Sequence, residues 1–153
     1  MPAPTDPAAL GALYQELILD HYRRPRNKGE LADADAHAAL KNPLCGDEIE
    51  VRLRRDGDRV AEVKFTGRGC SISQSSASMM TELVRGMPVA EVPALLRRVA
   101  DLLGGNPEAA ADARLGDLRA LRGVARFPMR VKCAALAWRG LEEALKGDGR
   151  GAR

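Results

Sequence analysis

The strongest constraint on the fold is residues 48 to 65, EIEVRLRRDGDRVAEVKF. Ile49, Val51 and Leu53 alternate with Glu48, Glu50, Arg52 and Arg54, the period of a strand with one apolar face. Asp56 and Gly57 carry the Asp-Gly hairpin signal. In the return strand Ala61, Val63 and Phe65 alternate with Glu62 and Lys64. Two strands alone are marginal in water, and this apolar face has to lie on helices. A third strand is expected from the loop near residues 32 to 40, where the alternation is weak. The expected class is α+β: a small antiparallel three-stranded sheet packed on one side by helices.

Helical patterns surround the hairpin. Asp6 and Pro7 read as an N-cap followed by proline at the first helical position. Leu10, Leu13, Leu17 and Ile18 give that helix one apolar face to about Tyr22, and Pro25 stops it. Ser71 and Gln74 form an S-x-x-Q capping box for a helix that runs to Arg85 and closes at Gly86. A third helix is expected over residues 89 to 103, ending at Gly104 and Gly105. Residues 106 to 125 suggest only short helical pieces around Leu118. A last helix from Pro128 to Lys146 carries Val131, Ala134, Trp138, Leu141 and Leu145 as its stripe. The 153 residues suit one domain, 1–153, with disordered tails at 1–5 and 147–153.

Composition narrows the function. Net charge is +3 with both signs interspersed, and two Tyr, two Phe and one Trp cannot build a stacking platform. Nucleic-acid binding, which needs concentrated base and groove-reading partners, is therefore not expected. No run approaches the ~20 apolar residues that span a bilayer. The start, MPAPTDPAAL, lacks the basic and apolar regions of a signal peptide. The expectation is a cytoplasmic protein without membrane contact.

Three cysteines, Cys45, Cys70 and Cys133, are an odd number, which argues against a disulfide framework. Cys70 precedes a helix start, where the dipole and free N–H groups favour an anion. Cys45 and Asp47 flank Gly46 at the mouth of a strand, and residues two apart in an extended segment point to the same side. Cys133 opens the last helix, on a face with the small residues Ala137, Gly140 and Ala144. Three thiols and an acid suit tetrahedral zinc and equally an iron–sulfur cluster. Such an anionic set wants cations, and Arg68, Arg130 and Lys132 lie close in sequence. No C-x-x-C pair is present, so spacing alone leaves open that these are three unrelated core thiols.

The segments LYQELILDHYRRPRNKG, NPLCGDEIEV, GRGCSISQSSASMMTELVRG and RVKCAALAW, in this order, resemble the IscU/SufU family of iron–sulfur cluster assembly proteins, over residues 13 to 145. Scaffold-type members have a histidine directly before the last cysteine, where this chain has Lys132, and a chaperone-recognised L-P-P-V-K segment, where it has RFPMRVK. The stretch between Arg85 and Val124 is similar to the insertion typical of the SufU branch.

The resemblance implies a zinc-dependent sulfurtransferase that relays sulfur, or a non-enzymatic scaffold. In the first reading Cys45 accepts sulfane sulfur from a SufS-type, pyridoxal-phosphate-dependent cysteine desulfurase. Zn2+ is then held by Cys45, Asp47, Cys70 and Cys133, and a desulfurase histidine can replace Cys45 on the metal. In the second, a transient [2Fe–2S] cluster forms on the same four residues. Downstream cluster scaffolds or acceptor apoproteins are the implied recipients. Arg130, in the R-x-K-C element, is assigned to steadying the Cys45 thiolate or persulfide, against the alternative that it balances charge. The N-terminal segment is implied to meet the desulfurase through Tyr14, His21 and Arg24. For His21 the alternative is packing at the helix end.

Overall fold

The computed structural model describes residues 7–43 and 46–147. The expected tail segments 1–5 and 148–153, the cap at Asp6, and Cys45 lie outside the described residues. Helix α1 (Pro7–Arg23) is followed by three strands, β1 (Ala36–Asn42), β2 (Asp47–Asp56) and β3 (Arg59–Arg68). They form one antiparallel three-stranded sheet, as expected, and its order is β1-β2-β3. Helix α2 (Ser71–Val84), a 3-10 turn (Val89–Glu91), α3 (Val92–Leu103) and the short α4 (Pro107–Ala110) come next. A 3-10 run (Ala113–Arg126) and α5 (Pro128–Gly147) complete the order. Gly147, expected in the tail, still belongs to α5.

Ile49, Val51, Leu53, Val63 and Phe65 are each at most 1% exposed. Burial of side chains this size contributes about 1.5–3 kcal/mol apiece. The expected alternation in β3 fails at one residue. Arg54 pairs with Glu62 but Arg55 pairs with Val60, which leaves Ala61 as a bulge. Val60 and Val63 therefore both face the core, and Ala61 is only half-buried.

Helices α2 and α5 cover the apolar face of the sheet, with α1 outside α2. Helix α5 comes so close that a Cβ built on Gly140 would lie 3.0 Å from Val51 Cγ2. Helix α2 is buried over most of its circumference, so its inward residues are polar as well as apolar. Ser73, Gln74, Ser75, Ser76, Ser78 and Thr81 are all buried. Their hydroxyls are used: Ser76 donates to the Ala134 carbonyl at 2.6 Å and accepts from Trp138 Nε1 at 3.1 Å, joining α2 to α5. The outer edge of β3 is covered at two places. Phe65 exchanges backbone hydrogen bonds with Asn27 and Gly29, and Val60 does so with Gly86 and Met87. Unpaired strand groups are thus satisfied without another chain.

Candidate metal centre

Asp47 is the first residue of β2 and lies on its inward face, in step with Ile49 and Val51. An acid that is 1% exposed on an apolar face needs partners. Its Oδ1 accepts the backbone N–H of Cys70 at 3.0 Å. Its Oδ2 lies 3.9 Å from Cys70 Sγ.

Cys70 differs from the sequence expectation in an instructive way. The capping box placed the cap at Ser71, but Cys70 itself is the N-cap of α2, and its sulfur accepts the N–H of Ser73 at 3.5 Å. The thiol thus occupies the position where a helix start offers its donors. Gln74 takes no part in a cap; its amide donates to Ser73 Oγ at 3.4 Å. The backbone must also pass close beneath the acid. A Cβ on Gly69 would overlap the Asp47 carboxylate and lie 2.6 Å from Ser73 Oγ. Cys133, 3% exposed, sits just inside α5 and its sulfur lies 3.5 Å from the Met129 carbonyl.

Strand β2, the cap of α2 and the first turns of α5 therefore bring Asp47, Cys70 and Cys133 together. One ligand atom from each lies within 4.8 Å of the others. Donors bound at about 2.0 Å (oxygen) and 2.3 Å (sulfur) to one tetrahedral ion are about 3.5 Å apart. The 3.9 Å between Cys70 Sγ and Asp47 Oδ2 needs only a small contraction to match. The donors present fit zinc, and two thiols and an acid fit an iron–sulfur cluster equally. Cys45 is connected through Gly46, whose N–H donates to the Asn42 carbonyl at 2.8 Å and whose φ of 74° favours glycine.

The other candidate residues are dispersed. Arg130 is exposed and lines a groove together with Ser71 and Ile72, beside Cys70. Lys132 is exposed, and Arg68 pairs with Glu48 at 3.2 Å on the solvent side. Tyr14 lines the same groove as Arg130, half-buried, with the Arg122 guanidinium 5.9 Å from its ring centre. Arg24 is exposed, and its guanidinium and that of Arg26 bind Asp20. Hydrogen bonds from Arg26 and then Arg24 hold the Asp20 carboxyl below its usual value. His21, offered for partner contact, is wholly buried and turned inward onto Ser78 and Asp117. Its neighbours Glu82 and Asp117 were missed in the sequence, because partners 61 and 96 residues away leave no local pattern. The acid on the inward face of β2 was a readable signal for Asp47.

A family model for the NifU-like N terminal domain matches residues 13–134. The chain is 44% identical over 138 residues to the zinc-dependent sulfurtransferase SufU of Bacillus subtilis, covering 90% of this chain and 92% of that one. It is 41% identical over 137 residues to the iron–sulfur cluster assembly scaffold protein IscU of Streptococcus pyogenes, covering 90% and 85%. The crystal structure of a putative iron–sulfur cluster assembly scaffold protein for the SUF system, from Fervidobacterium islandicum, superposes with a TM-score of 0.78. It is 33% identical, covering 88% of this chain and 97% of that one.

Proposed function

The chain belongs to the NifU-like N-terminal domain family, and from that premise we propose that it is an iron–sulfur cluster biogenesis protein in which Cys45 accepts sulfur from a SufS-type cysteine desulfurase. The observation that carries this reading is the convergence of Asp47, Cys70 and Cys133. Together with Cys45 they make a three-thiol, one-acid set for Zn2+. Zinc dependence is in the name of the Bacillus relative. When bound, zinc keeps its cysteine ligands deprotonated and tempers their nucleophilicity.

The chain's own residues then divide the work. Asp47, Cys70 and Cys133 are fixed by strand and helix, whereas Cys45 is joined to them through a glycine. The Cys45 thiolate attacks the outer sulfur of a persulfide on the desulfurase. A sulfur–sulfur bond forms on Cys45, the old one breaks, and the desulfurase cysteine leaves as a thiolate, with no net oxidation. Arg130 is suited to steady the new persulfide, because it borders the groove beside Cys70. The desulfurase is proposed to dock along α1, at Tyr14 and Arg24, with His21 bracing the helix from inside. Sulfur then passes to a downstream scaffold or acceptor apoprotein.

The scaffold reading, with a transient [2Fe–2S] cluster on the same residues, is favoured by the Streptococcus relative's name. Lys132 beside Cys133, in place of the scaffold-type histidine, favours sulfur transfer. Among the described residues no helix is long and apolar enough to cross a membrane.

The test is stimulation of a SufS-type desulfurase by the intact protein. Stimulation by the native chain and none by Cys45→Ser supports sulfur transfer. Full stimulation by the variant removes it. A stable cluster after anaerobic reconstitution with iron and sulfide, passed on to an apoprotein, would replace it with the scaffold reading.

A further inference from the structure

His21 lies in the last turn of α1 with no exposed surface, and its two ring nitrogens meet different partners. Nδ1 lies 2.7 Å from Ser78 Oγ, which also accepts the backbone N–H of Arg26 at 2.8 Å. Nε2 lies 3.0 Å from Asp117 Oδ2 and 3.7 Å from Glu82 Oε1. The three residues come from α1, α2 and the 113–126 run. Among the described residues, the ion-pair partner of both Glu82 and Asp117 is this one imidazole. Two carboxylates therefore converge on a single buried ring nitrogen.

The spacing approaches that of ligands on one ion. Donors held at about 2.1 Å lie about 3.0 Å apart at a right angle and about 3.4 Å apart at the tetrahedral angle. Ligand atoms of His21, Glu82 and Asp117 all lie within 4.8 Å of one another. The side chains of Glu82 and Asp117 are 47% and 46% exposed, so they can turn to close the widest gap and leave the remaining positions to water. Ser78 fixes the ring through its other nitrogen, the support that metal-binding histidines require.

We infer that His21, Glu82 and Asp117 form a second cation site, separate from the thiol centre, for a first-row divalent ion that prefers nitrogen and oxygen donors. Its ion fastens α1 and α2 to the 113–126 run. With water completing its shell, it exchanges more readily than an ion enclosed by thiolates.

The experiment is equilibrium dialysis of the full chain against buffered free zinc, with metal per chain measured for native protein, Glu82→Gln, Asp117→Asn and Cys70→Ser. Both acid positions are half-exposed, and circular dichroism checks that each variant is folded. The expected native value is two equivalents. Glu82→Gln and Asp117→Asn each weaken one of them by about 10-fold or more, while Cys70→Ser removes the other. A single equivalent in native protein that Cys70→Ser abolishes, or two equivalents that survive both acid variants, overturns the second site. Two native equivalents of which Cys70→Ser removes none and the acid variants weaken one would leave the second site standing and sink the thiol centre instead.

Discussion

Gly69 is where the thiol centre is most sensitive to a single atom. Its α-hydrogen faces the Asp47 carboxylate and Ser73 Oγ, and a methyl group there overlaps both. Gly69→Ala is therefore expected to push Asp47 off the centre and weaken zinc binding by about 10–100-fold, measured by competition with a chelator. Asp47 itself has two separable roles. Asp47→Ala removes a donor atom and also leaves the Cys70 N–H without its 3.0 Å acceptor. That loss costs the metal-free chain about 1–3 kcal/mol. Asp47→Asn keeps the acceptor, so urea unfolding with chelator present should stay near native while zinc affinity falls. Equal destabilisation by both variants would refute the division. The sequence points to Asp47 and Cys70 because each follows a local rule, a place two residues from Cys45 in an extended segment and a place at the start of a helix. It placed the cap one residue late, since serine is a commoner cap than cysteine and the S-x-x-Q spacing was satisfied by chance.

At the scale of elements, α5 reaches β2 through small residues. Gly140→Val would drive a branched side chain against Val51 and should cost about 1–3 kcal/mol, read by urea unfolding. The 113–126 run depends on Asp112, its N-cap, which binds Arg114 and reaches Arg98 Nε on α3 at 3.0 Å. Side-chain and backbone hydrogen bonds from Arg114, then Arg98, hold its carboxyl well below the usual 3.8. A lowered carboxyl stabilises the fold above its unfolded value, and the benefit disappears as pH falls through the folded value. The stability gap between native protein and Asp112→Asn should thus be full at about pH 5 and above and shrink below about pH 3.8. A gap independent of pH would show that the carboxylate contributes no such term. The hairpin, α1 and α5 were legible because amphipathic periods specify them directly. The bulge at Ala61 was not, because only pairing with Arg54 and Arg55 reveals it. Nor was the 3-10 run, whose turn at Gly116 (φ 54°, ψ −132°) interrupts any single period.

Across the whole molecule, the thiol centre joins the sheet to α2 and α5, whose mutual packing encloses the core. Metal binding is coupled to folding wherever the ligands come together only in the folded chain. Stripping zinc with a chelator should lower the Tm by roughly 10 °C or more, and Cys133→Ser should melt at the lower temperature with or without chelator. An unchanged melt would mean that packing alone holds these elements. Asp47 also pairs with Asn42 as the last rung of the ladder between β1 and β2. A slip of one residue in that ladder would turn the carboxylate to the solvent side. On the proposed zinc reading, ion occupancy would therefore proofread strand alignment: a misthreaded molecule would lack the acid where the ion needs it, and would gain nothing from the metal that rewards its correctly aligned siblings.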